Sequence, residues 1–95
     1  MFLLIGRYTV PIDEVERHLD GHREWVRAHA EAGRFIAAGR EVPLGGGIIV
    51  ATAVTRADLD LWIQDDPFIV HGVAEYDIRE YDMVLAAPGA EALTA

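Results

Sequence analysis

The chain has 95 residues, with 8 basic and 16 acidic side chains and a formal net charge of -8. That balance repels a phosphate backbone and argues against a nucleic-acid partner. There is no Cys, Lys, Ser or Asn, which removes thiol and serine nucleophiles, disulfides, thiolate metal sites and Schiff-base lysines. What remains is His, Asp, Glu, Tyr, Arg and a few Thr, a set suited to moving protons or polarising a bound group without a covalent intermediate.

No Pro/Gly/Ser-rich linker or charge run divides the chain, so one domain is expected over residues 1–85, followed by a tail at 86–95 that is mobile or draped on a partner. A chain of this length buries only about 60 to 65% of its unfolded surface. The 52% hydrophobic content is rich for such a core and calls for a second covering surface. A strand-like opening with no basic leader, and no run of about 18 apolar residues, predict a cytoplasmic protein with no membrane partner.

In chain order, residues 2–9 alternate Phe2, Leu4 and Tyr8 with Leu3 and Ile5, a strand apolar on both faces. A first helix is expected from Pro11 or Asp13 to Ala32. Proline suits its first turn, Asp13 and Glu14 suit the positive end of its dipole, and Gly33 closes it. Its inward stripe reads Val15, Leu19, Val26 and Ala30, with Glu16, Asp20, Glu24, Arg27 and Glu31 towards solvent. Residues 35–42 form a weaker strand and 48–54 a second central one, with Gly45, Gly46 and Gly47 between them as hairpin residues. A phosphate cradle there would need a following helix and a Lys. A second helix starts at Thr55, capped with Asp58 in its first turn, buries Leu59, Trp62 and Ile63, and ends near Asp66 because Pro67 follows. Residues 73–85 make a long, mixed edge strand.

The order strand, helix, strand, strand, helix, strand is that of the α+β ferredoxin-like βαββαβ fold with a four-stranded antiparallel sheet and both helices on one face. The opposite face of the central strands is apolar too, and no element is left to cover it. A second copy stacking sheet on sheet supplies the cover, so a homodimer through sheet faces is expected.

His22 falls in the middle of the apolar stripe of the first helix and should face the sheet. Two readings are open: a core histidine bonded to a backbone carbonyl, or a titrating side chain held at a pocket. Asp66 points the same way as Leu59, opposes the helix dipole and is costly to bury unpaired. It is either a cap for a turn beginning at Pro67 or part of a site. Brought together, the pair would form a general acid/base dyad, the carboxylate orienting the imidazole. His18 and His22 have a spacing able to bind zinc, with His29 nearby, but no acidic ligand accompanies them in a recognisable motif and no metal is assigned. His71 lies beyond the Asp-Pro turn, within reach of the same region. Trp25 and Trp62 read as core and interface fillers.

Several stretches together resemble the YciI-like family of small proteins of the dimeric α+β barrel type. They are the opening strand ending in Arg7-Tyr8, the helix segment His22-Arg23-Glu24-Trp25-Val26, and Gly33-Arg34-Phe35-Ile36-Ala37-Ala38-Gly39. They continue in Gly47-Ile48-Ile49-Val50-Ala51 and the Asp66-Pro67-Phe68 turn with Gly72 and Ile78 behind it. The likeness reaches about Tyr81. Arg40 stands where relatives often carry proline. The resemblance implies dimerisation through sheets and a site at His22 and Asp66. It also implies proton-transfer chemistry on small oxygenated rings, as in a chlorohydroxyquinol-dehydrochlorinating type and the muconolactone isomerases of similar architecture.

The expectation is therefore a cofactor-independent enzyme of lyase or isomerase type. In it His22 moves a proton, Asp66 orients it, and Arg7, Tyr8, Arg40 and His71 border an anionic or phenolic small molecule. The rival is a non-catalytic small-molecule-binding or accessory protein using the same pocket. Related barrels that bind haem or oxidise quinones stand third.

Overall fold

The computed structural model describes residues 1–53 and 55–94. The elements are β1 (Phe2–Tyr8), α1 (Ile12–Glu16), α2 (Leu19–Glu31), β2 (Phe35–Arg40), β3 (Gly47–Ala51), α3 (Arg56–Ile63), α4 (Pro67–Val70) and β4 (Ala74–Glu80), with a 3-10 turn at Glu91–Thr94. The strands form one antiparallel sheet in the order β2-β3-β1-β4, the ferredoxin-like arrangement expected from the sequence. Val54, expected as the last residue of its strand, and Ala95 of the tail lie outside the described residues.

Period-2 alternation sorts the central strands into two faces. Phe2 and Leu4 of β1 lie beside Ala51 and Ile49 of β3 and are buried with Phe35, Trp25 of α2, and Leu59 and Ile63 of α3. Both helices thus cover the same side. The other face carries Leu3, Ile5, Ile48 and Val50, and there Ile5 is 43% and Ile48 40% exposed. A second, smaller core gathers Val15, Phe68, Val73 and Ala74, with Tyr8, Val10 and Leu19 against it.

The expected single first helix is two. After Glu16 the chain makes a turn at Arg17 and His18, where the His18 backbone lies at φ -114 and ψ 6 and its N–H donates back to the Val15 carbonyl. The turn swings α2 onto α4: a Cβ on Gly21 would already meet Pro67 at 3.2 Å, and the His18 ring stacks on His71 at 3.9 Å. No Pro or Gly marks the break, so the hydrophobic period reads through it, and Val15, Leu19, His22 and Val26 still face inward as expected. The inward side of α2 is His22, Trp25, Val26 and His29, while Ala30 is exposed. Its end is as expected. Gly33 takes φ +78, its N–H bonds to Ala30 and that of Arg34 to His29, a Schellman closure.

At α3, the Thr55 side chain accepts from the Asp58 N–H. The strand expected to run to residue 85 stops at Glu80, which lies opposite Phe2. One further bond runs from Tyr81 N–H to the Met1 carbonyl, beside the start of β1. Val84 and Leu85 are accordingly exposed.

Candidate active site

Asp66 is completely buried. A buried carboxylate needs partners for both oxygens, and three elements supply them. Oδ1 accepts the Phe68 N–H at 3.0 Å, capping α4, and meets His22 Nδ1 at 2.8 Å. Oδ2 accepts the Tyr76 hydroxyl at 2.6 Å. The cap expected from the sequence is present, and the contact with His22 exists beside it: Pro67 as first helical residue puts Asp66 at the N-cap, and α2 brings His22 to the same oxygen.

A carboxylate only accepts, so the proton on this contact belongs to His22 Nδ1. Nε2 is then left as the free nitrogen, and it has no hydrogen-bond partner among the described residues. The ring is 16% exposed, lies flat on Phe68 at 3.9 Å and 5°, and has Trp25 beside it at 5.8 Å. Trp25 is held in turn by its indole N–H bond to the Trp62 carbonyl. Imidazole orientation is thus set by a carboxylate behind and aromatic rings alongside.

His22 borders a cleft of about 690 Å³ between α1, α2, the sheet and the β2-β3 hairpin. Val15, Leu19, Val26, Ile49 and Phe68 give it an apolar lining. Tyr8 and Arg40 share it, Tyr8 with its ring edge-on to Phe68 at 6.1 Å. Arg7 also borders it, but its position in β1 is on the opposite face from Tyr8 and its guanidinium pairs with Glu75 of β4. His71 is not part of the lining; it is exposed at the end of α4, stacked on His18. Glu16 and Arg27 are exposed, as the helical wheel places them, and both also border the cleft. His29 belongs to a separate aromatic group with Trp25, Phe35 and Trp62, where burial and then the Arg34 guanidinium hold its pKa below the usual histidine range.

Tyr76 is the residue that sequence reasoning missed. It stands opposite Gly6, on the helix side of an edge strand, and borders the cleft as well as Asp66. Burial first, then the Asp66 charge and the hydrogen bond, push its phenol pKa well above the usual value. The available signal was its alternation with Ala74 and Ile78.

A profile for the YCII-related domain matches residues 1–82. The chain belongs to that family. Among solved structures it is similar to 5-chloro-2-hydroxyhydroquinone dehydrochlorinase from Burkholderia phenoliruptrix AC1100, in complex with 2,5-dihydroxybenzoquinone. Identity is 14%, the TM-score is 0.71, and the match covers 85% of this chain and 93% of that one. At that identity the likeness establishes the fold, and comparison with curated protein sequences gave no match.

Proposed function

We propose that this YCII-related protein is a cofactor-independent proton-transfer enzyme of lyase or isomerase type acting on a small oxygenated ring compound. The observation that carries the reading is the 2.8 Å contact between His22 Nδ1 and an Asp66 with no solvent exposure, behind an imidazole on the wall of an apolar cleft. Nε2 takes a proton from an acidic O–H or C–H of the substrate. The electron pair left behind forms a new double bond as a leaving group such as chloride departs, or the proton returns to another carbon of the same molecule. Asp66 keeps Nδ1 protonated and steadies the imidazolium that forms. The similar structure of a dehydrochlorinase holding a hydroxyquinone supports the choice of substrate class.

The same reading has the protein working as a homodimer. Leu3, Ile5, Ile48 and Val50 make an apolar sheet face that α1 to α4 leave open, and a second copy presents the matching face about a twofold axis.

The test is turnover of chlorinated hydroxyhydroquinones and small lactones, followed by chloride release and absorbance. His22→Ala is expected to lower kcat by about 10² to 10⁴ and Asp66→Asn by a comparable factor. Turnover indifferent to His22→Ala would refute the dyad. Tight binding of the same compounds without product would make the protein a binding module.

A further inference from the structure

We propose that the cleft beside His22 is an organic-anion site in which Arg23, Arg27 and Arg40 take the ligand's charged end, an inference that rests on the cleft being the substrate site. Of the eight arginines, Arg7, Arg17, Arg56 and Arg79 each pair with a carboxylate, and Arg34 contacts His29 and lies over Trp62. The remaining three make no ion pair among the described residues, and all three line this one cleft.

Partners were within reach in a chain carrying 16 acids. Asp20 stands three residues from Arg23; Glu24 and Glu31 stand three and four from Arg27, the spacings at which helical side chains meet. None of these pairs forms among the described residues. Three like charges are thus held around one concavity of a strongly acidic protein, with Glu16 the sole acid among the cleft's described lining. Such an arrangement focuses a positive potential where an anionic ligand would neutralise it.

The geometry also describes the ligand. Arg23 and Arg27 follow one another along α2, about 5 to 6 Å apart at Cβ, and Arg40 comes from the end of β2. Between them the lining is apolar and passes to His22. Guanidinium forks match groups whose charge is shared by two oxygens. The class is therefore a flat, largely apolar molecule with one ionised end, either a carboxylate or an ionised hydroxyquinone, its reacting carbon beside His22 Nε2.

Calorimetric titration distinguishes the two sources with matched probes: benzoate against benzamide for a carboxylate, and 2,5-dihydroxybenzoquinone against 2,5-dimethoxybenzoquinone for an ionised enol. In at least one pair the charged member should bind about tenfold or more tighter, and its affinity should fall several-fold as salt rises from about 50 to 300 mM. Arg23→Gln/Arg27→Gln should lower that affinity about tenfold and Arg40→Gln about three- to fivefold. Arg56→Gln/Arg79→Gln removes the same charge away from the cleft and should change it less than about twofold. His22→Gln should retain the anion, which keeps this inference separate from the catalytic one: binding preserved with turnover lost leaves the anion site standing. Equal affinity for charged and neutral members, no binding of either anion at millimolar concentration, or equal losses in the cleft and off-cleft double variants would each overturn it.

Discussion

Replacing Tyr76 by Phe tests the core of the site without opening a cavity, since only the hydroxyl is lost. That group donates to Asp66 Oδ2 at 2.6 Å, at the short end for a bond to a carboxylate, and no other donor reaches this oxygen among the described residues. A hydrogen bond to a charged group contributes about 1.5 to 3 kcal/mol, and leaving the buried oxygen unpartnered puts the cost in the upper half, about 2 to 3 kcal/mol. For a domain of this size each kcal/mol moves Tm by about 4 to 8 °C, so the melt should drop by roughly 8 to 24 °C. Chemical denaturation of Tyr76→Phe, Asp66→Asn and the double variant closes a cycle whose coupling should be about 1 to 2 kcal/mol. A second signature lies at high pH. The folded protein keeps the phenol neutral, while in the unfolded chain it ionises near 10.0. Its contribution is therefore intact below that pH and is lost as pH rises above it, and the alkaline loss of stability should be shallower in Tyr76→Phe. A cost below about 0.5 kcal/mol, an equal cost in the Asp66→Asn background, or an unchanged alkaline limb would refute the three-donor arrangement around Asp66.

Two further perturbations probe the walls of the site and the open sheet face. A Cβ on Gly46 would collide with the Gly6 carbonyl oxygen, whereas the nearest atoms to one on Gly45 belong to the Glu41 side chain, at 2.8 Å. Gly46→Ala should therefore cost about 2 to 3 kcal/mol by thermal melt and weaken anion binding as the hairpin carrying Arg40 and Leu44 moves, while Gly45→Ala should cost less than about 1 kcal/mol. Ile48→Asp sets a charge in the middle of the open apolar face; light scattering should report a dimer for the parent and a folded monomer for the variant, and a parent that is monomeric at micromolar concentration contradicts the dimer.

Much of the fold was legible because its strongest signals are local. The two-sided apolar strands, the Thr55 cap, Gly33 at the helix end and the Asp66-Pro67 pair each follow from one or two residues acting on their own backbone. The errors have a common source in long-range contact. The break at Arg17 and His18 is made by packing against α4, which the helical period cannot register; Glu16 and Arg27 stay exposed as expected, and what the period could not show is that they also border the cleft. β4 ends opposite the first residue of β1, a pairing partner that the composition of residues 81–85 does not reveal. His22 and Asp66 could each be singled out, one by its place on an apolar stripe and the other by opposing a helix dipole. Tyr76 broke no rule where it stood, and its role emerges only from the residue it meets.

The position of Asp66 ties folding to any chemistry at the cleft. One carboxylate caps α4, holds an imidazole from α2 and receives a phenol from β4, joining three elements at the seam between the two apolar cores. The same economy means that Asp66 variants lose stability as well as any activity, since each buried donor left without its acceptor costs about 1 to 3 kcal/mol whatever the residue does for a substrate. Substitutions at the exposed Arg23 and Arg27, with little folding role, separate ligand recognition from stability. Tyr76→Phe, which removes one donor and keeps the ring, separates the support of Asp66 from its presence.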